Sequence, residues 1–115
     1  TPTCSMNHLP GFVDHADEIL AKGVDTIACM AVNDVFVMDA WGKDRGVGDK
    51  VVMLADGNGE YARALGLEMD GTGFGMGMRG QRFALVVDDG TATHVAVEAP
   101  GQFEVSKAEA ILDAL

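Results

Sequence analysis

Cys4 is the residue of this chain whose position most favours chemistry, because a helix is predicted to begin beside it. Apolar residues recur every three or four positions from about Ser5 to Lys22, and Gly23 is a natural stop for that helix. The first turn of a helix leaves backbone N–H groups without partners, and such groups, with a nearby cation, favour the nucleophilic thiolate of cysteine. Spacing alone leaves open the alternative that Cys4 is an inert buried thiol.

Composition limits the kinds of partner that this chain can have. The 115 residues are 48% hydrophobic, which is enough apolar surface for one domain over residues 1–115, and the formal net charge is −10. Nucleic acids and anionic membranes are bound through an excess of lysine and arginine, so neither is expected as a partner. No apolar run approaches the ~20 residues that span a bilayer. We therefore expect a protein of the cytoplasm.

The two cysteines do not form a recognisable pair motif. Cys4 and Cys29 are too far apart for the Cys-x-x-Cys of a dithiol redox site, and no cysteine or histidine pair has the spacing of a zinc site. A structural disulfide is also not expected, and Cys29 falls within an apolar run, which predicts a small core residue. No metal site is predicted.

Beyond the first helix, alternating element types predict an α/β fold. Pro10 predicts a kink near residues 7–10 of that first helix. The other predicted elements are a buried strand at 24–32, a helix capped by Asn33-Asp34 and ending near Asp44, a buried strand at 51–55, a short helix at 60–65, an irregular loop at 66–80, a hairpin of 82–87 with 91–98, and a last helix after the capping box Ser106–Glu109. This order predicts a thioredoxin-like fold, in which helices flank a central mixed sheet.

Several separated motifs resemble one protein family. TPTCS followed by HLPGF, the strand ending CMAVND, the LAD-x-x-G turn and the hairpin RGQRFALVVDDG are similar to the type II, peroxiredoxin-5-like branch of the peroxiredoxins. The resemblance implies that Cys4 is the peroxidatic cysteine, that Thr1 is the threonine of the Pro-x-x-x-Thr-x-x-Cys motif, and that Arg82 lies beside the thiolate. The proline of that motif would precede Thr1, so we expect a sequence that is incomplete at its N-terminus, with strands of the sheet upstream.

The activity that the resemblance implies is thiol-dependent reduction of hydrogen peroxide and alkyl hydroperoxides through a sulfenic acid on Cys4. It implies no bound cofactor, and a homodimer. No cysteine stands near GQFEVS, where the atypical two-cysteine members carry a resolving cysteine. Recycling by glutathione with glutaredoxin, or by thioredoxin, is therefore expected rather than by Cys29. A thioredoxin-fold disulfide relay and a non-catalytic interaction module are the two alternatives.

Two further residues have open interpretations. His8 follows Cys4 by one turn and could support its thiolate, but it is more simply a residue on one face of the helix. Arg79 could be a second cation near the site or a solvated loop charge.

Overall fold

The computed structural model describes residues 1–115, which form two compact units. One unit contains residues 1–27 and 82–115, and the other contains residues 28–81. No helix combines the length and apolar character needed to cross a membrane. The assignment of the whole chain to one domain stays a prediction.

The N-terminal helical region departs from a regular α-helix directly after Cys4. It consists of a π-helical turn at Cys4–His8, α1 at Leu9–Asp14 and α2 at Ala16–Ala21. The N–H of Leu9 donates to the carbonyl of Cys4, five residues back. Pro10 follows at once and has no N–H to continue the α-helical pattern. The irregularity predicted near Pro10 is therefore a wider turn, and Gly23, with φ of 96°, follows the helix as predicted.

The helix also starts earlier than predicted. Thr3 already has helical backbone angles, and the N–H of Ser5 donates to the carbonyl of Thr1 at 3.1 Å. Cys4 thus lies within the first turns of the helical region rather than ahead of it.

The predicted hairpin is confirmed in the same unit. β5 (Phe83–Asp88) pairs antiparallel with β6 (Thr91–Val97), with one irregularity between Val86 and Val87. Asp89 and Gly90 both have positive φ, 50° and 80°, as a two-residue turn that follows the twist of the strands requires.

The final helix, α5 (Ala108–Ala114), begins differently from the prediction. The capping box is wrong: Lys107 is the N-cap and no side chain caps the helix. The hydroxyl of Ser106 instead donates to the carboxylate of Glu98 at 2.7 Å. Ser106 is fully buried, and a charged acceptor gives the stronger hydrogen bond, so the distant carboxylate takes the hydroxyl.

In the second unit, β1 (Ala28–Ala31) pairs parallel with β2 (Val52–Ala55). The helix between them is α3 (Val35–Asp44), and its predicted N-cap is confirmed, since Asp34 accepts from the N–H of Val37 at 2.8 Å. α3 packs on β2, where a Cβ on Gly42 would come within 2.9 Å of Met53 Cγ.

The prediction that both of these strands are buried is wrong. β1 is half-buried with an exposed first residue, β2 is mostly exposed, and Cys29 is half-buried rather than a core residue. Apolar runs of this kind need cover on two faces and two edges. The β1–β2 pair has only two strands, with α3 packed on β2.

The glycine-rich segment at 66–80 is more regular than predicted. After α4 (Glu60–Ala64), β3 (Glu68–Asp70) pairs antiparallel with β4 (Met78–Gly80) around a 3₁₀ turn at Thr72–Phe74. The strands form three two-stranded sheets, one parallel and two antiparallel, and with the helices they give the predicted α/β class.

Candidate active site

The Cys4 sulfur accepts hydrogen bonds from both residues that the family resemblance assigned to it. Thr1 Oγ1 donates to Cys4 Sγ at 2.9 Å, and Arg82 Nη1 donates to it at 3.3 Å. Cys4 as a residue is half-buried. The site thus places a hydroxyl donor and a cationic donor on one sulfur.

Local structure explains the short-range contact. Thr1 and Cys4 are three residues apart in a helical backbone, which places their side chains on the same face. Arg82 begins the second segment of the unit, residues 82–115, and stands one residue before β5. Its carbonyl accepts the N–H of Glu98 at 3.0 Å, so the antiparallel ladder of the hairpin continues through Arg82 and holds its backbone.

His8 is more than a residue on one helix face, because both of its ring nitrogens have partners. Nε2 lies 2.9 Å from the carbonyl oxygen of Ser106, and Nδ1 lies 3.5 Å from Arg82 Nη1. A carbonyl can only accept and a guanidinium can only donate. The ring is therefore neutral, with its proton on Nε2.

The surroundings of His8 favour that neutral form. Burial lowers the pKa of His8 most, and the positive charge of Arg82 lowers it further, against the opposing effects of the Ser106 carbonyl and the Glu98 charge. The ring packs edge-on against Phe12 and Phe103, with centroids 5.6 and 5.4 Å away. The Arg82 guanidinium also lies 5.7 Å from the centroid of Phe103, so one aromatic ring contacts both side chains.

Glu98 is a buried carboxylate that sequence reasoning missed. Its side chain accepts from the N–H groups of Glu104, Val105 and Ser106 and from the Ser106 hydroxyl. Burial would raise the pKa of Glu98, but these hydrogen bonds outweigh it and hold the pKa at about 2. The available signal was an acidic residue at the end of an alternating strand directly before Ala-Pro-Gly.

Arg79 serves the second unit as a clamp rather than as a solvated charge. Its guanidinium donates to the carbonyls of Val32 and Met76 and to Asn33 Oδ1, at 2.6 to 2.8 Å. These contacts tie the end of β1 to the hairpin of β3 and β4. The structure has no group of three or more His, Cys, Asp or Glu side chains that could hold a metal ion, and neither cysteine is in a disulfide.

Comparison with known proteins agrees with the geometry of this site. The redoxin family matches residues 1–112. The chain is 53% identical over 115 residues to peroxiredoxin-2B of Arabidopsis thaliana, covering all of this chain and 71% of that protein. It is 50% identical over 117 residues to the chloroplastic peroxiredoxin-2E of the same plant, covering all of this chain and 50% of that protein.

A solved structure supports the same assignment. Reduced Prx3 from Vibrio vulnificus, in complex with hydrogen peroxide, superposes with a TM-score of 0.96 at 55% identity, covering 100% of this chain and 74% of that chain. A thioredoxin-like fold with a cysteine sulfur held by a hydroxyl and a guanidinium defines a thiol-dependent redox protein. This chain belongs to the redoxin family and is a peroxiredoxin, a thiol peroxidase.

Proposed function

We propose that Cys4 is the peroxidatic nucleophile and that it reduces hydrogen peroxide and alkyl hydroperoxides. The observation that carries this proposal is the pair of donors on the sulfur of the half-buried Cys4, Thr1 Oγ1 at 2.9 Å and Arg82 Nη1 at 3.3 Å. Attack on a peroxide needs a thiolate, and both donors stabilise one.

In the proposed step, the Cys4 thiolate attacks one oxygen of the peroxide. A new S–O bond forms as the O–O bond breaks, which gives a sulfenic acid on Cys4 and releases hydroxide or an alkoxide that takes a proton to become water or an alcohol. The sulfur is oxidised by two electrons and the peroxide is reduced. Arg82 stabilises the negative charge that moves from sulfur to the leaving oxygen, and Thr1 orients the peroxide with its hydroxyl.

The choice of peroxide rests on two supports. The Vibrio vulnificus relative, 55% identical, has a solved complex with hydrogen peroxide. For alkyl hydroperoxides, the support is the family resemblance, and the same attack releases an alcohol instead of water.

Recycling is proposed to use an external thiol. Glutathione attacks the Cys4 sulfenic acid, forms a mixed disulfide and releases water, after which glutaredoxin or a second thiol restores Cys4. Thioredoxin is the alternative reductant. Cys29 is half-buried in β1 and is not assigned the resolving role. We also propose a homodimer, from family resemblance alone, and a cytoplasmic location, from the composition of the sequence. One similar relative carries a chloroplastic name.

Peroxide consumption by the purified protein tests the proposal. With hydrogen peroxide and glutathione plus glutaredoxin, or thioredoxin and its reductase, we expect turnover that Cys4→Ser abolishes and the matched control Cys29→Ser retains. Mass spectrometry after peroxide treatment with glutathione should show the mixed disulfide on Cys4. Disulfide exchange without peroxide consumption would indicate a relay instead, and a bond only between the two cysteines would make Cys29 the resolving residue.

A further inference from the structure

We propose that Glu98 is a positioning residue for Arg82, acting through the 104–106 loop and the ring of His8. This inference rests on the proposed role of Arg82 at Cys4. It assigns a function to a buried charge that the reaction itself does not use.

The first step is the attachment of the loop to Glu98. Three consecutive backbone N–H groups, those of Glu104, Val105 and Ser106, point at its carboxylate, at 2.8, 3.3 and 2.9 Å. The Ser106 hydroxyl adds a fourth hydrogen bond at 2.7 Å. Glu98 is only 6% exposed and Ser106 is fully buried, so water cannot replace these bonds. The carboxylate therefore determines where the loop backbone lies.

The second step is the effect of the loop on His8. The carbonyl of Ser106, whose own N–H is bound to Glu98, accepts the Nε2 proton of His8 at 2.9 Å. This bond selects one of the two neutral forms of the ring, the one with a lone pair on Nδ1. Phe12 and Phe103 pack against the ring and limit its rotation.

The third step is the effect of His8 on Arg82. His8 Nδ1 accepts from Arg82 Nη1 at 3.5 Å, and Arg82 Nη1 also donates to Cys4 Sγ at 3.3 Å. One Nη1 carries two hydrogens about 120° apart, so an acceptor for one hydrogen directs the other toward the sulfur. Glu98 also holds the backbone of Arg82, through its N–H on the Arg82 carbonyl at 3.0 Å. The strand and the loop thus position one guanidinium from two sides.

The test compares Glu98→Gln with Glu104→Gln, which removes the same charge from an exposed side chain in the loop that Glu98 binds. The amide of glutamine keeps one acceptor oxygen, but its NH₂ group cannot accept from a backbone N–H, so Glu98→Gln should lose at least one of these bonds and loosen the loop. The first measurement is the rate at which iodoacetamide alkylates Cys4 at pH 7, read at that residue by mass spectrometry. We expect a fall of about fivefold, the effect of losing one hydrogen bond of average net strength, and no change in Glu104→Gln.

The second measurement is the nitrogen NMR spectrum of His8, assigned by its loss in His8→Phe. The unmodified protein should show a neutral ring with the proton on Nε2, and Glu98→Gln should show a mixture of the two neutral forms. If Glu98→Gln does not fold, Ser106→Ala removes one of the four bonds and keeps the carbonyl that binds His8. That variant should change both measurements in the same direction but by less than Glu98→Gln, because the three backbone N–H groups still bind an intact carboxylate.

A double variant separates positioning from general support of the fold. Adding Glu98→Gln to His8→Phe should slow alkylation of Cys4 little beyond His8→Phe alone, because the route through the ring is already broken. The proposal is overturned if Glu98→Gln lowers stability while alkylation and the His8 spectrum stay unchanged, or if the two effects on alkylation simply multiply. Neither readout needs peroxide. If the unmodified protein does not reduce peroxide but the variants change alkylation and the His8 spectrum as expected, the peroxidase role is refuted and the positioning role is supported.

Discussion

The substitution Glu98→Gln should make the unfolding free energy of this protein less dependent on pH. The pKa of Glu98 is about 2 in the folded chain, against 4.5 for an ordinary glutamate. A tenfold difference in acidity corresponds to about 1.4 kcal/mol, and the side chain is only 6% exposed, so solvent weakens this effect little. Ionised Glu98 thus stabilises the fold by roughly 3 kcal/mol.

The pH range of this effect follows from its sign. A carboxylate whose folded pKa is depressed stabilises the protein fully above its unfolded pKa. That stabilisation is lost as the pH falls from about 4.5 toward about 2. Glu98→Gln has no proton to gain, so its stability should lack this one contribution. The two proteins should differ by up to roughly 3 kcal/mol at pH 7 and by much less near pH 2.5.

Urea unfolding, followed by far-UV circular dichroism at several pH values between 7 and 2.5, measures this difference. Glu104→Gln is the control, because it removes an exposed carboxylate of the same loop and should follow the unmodified protein throughout. The reasoning is refuted if the difference in unfolding free energy between Glu98→Gln and the unmodified protein stays constant across this range. A constant difference would mean that the pKa of Glu98 does not change on unfolding.

Three other substitutions have expected outcomes. Arg82→Ala should lower the rate constant of peroxide reduction about 100-fold with little loss of thermal stability, because it removes the cation on Cys4; an unchanged rate would contradict its role. Asp34→Ala should destabilise the protein by about 1 kcal/mol in urea titrations, through loss of the α3 cap. Gly42→Ala should lower the melting temperature, since its Cβ would come within 2.9 Å of Met53 Cγ, and a gain instead would show that Met53 moves aside.

The features predicted correctly from the sequence are those that neighbouring residues control. The Asp34 cap needs only the N–H of Val37, three residues on, and the tight turn needs two adjacent residues that tolerate positive φ, Asp89 and Gly90. The likeness to peroxiredoxins was also correct, because it rests on separated motifs along most of the chain, and the family match to residues 1–112 confirms it.

Burial and long-range partners were decided by tertiary structure. The apolar run around Cys29 predicted a fully covered strand, yet the pair it forms has only two strands. Ser106 has the local pattern of a helix cap, but its hydroxyl binds Glu98, eight residues back, because a buried carboxylate is the stronger acceptor. Which partners lie within hydrogen-bond distance of a group depends on the folded chain, and the sequence pattern around Ser106 does not contain that information.

The candidate site divides in the same way. Cys4 and Thr1 are three residues apart, so a helical backbone alone brings the hydroxyl to the sulfur. Arg82 stands 78 positions from Cys4, and Ser106 stands 98 positions from the His8 ring that it binds. Cys4, the proposed nucleophile, and its nearest donor could therefore be placed together from the sequence by itself. Only the tertiary structure decided how the cation is held, because closing loops of that length depends on the packing of the whole unit.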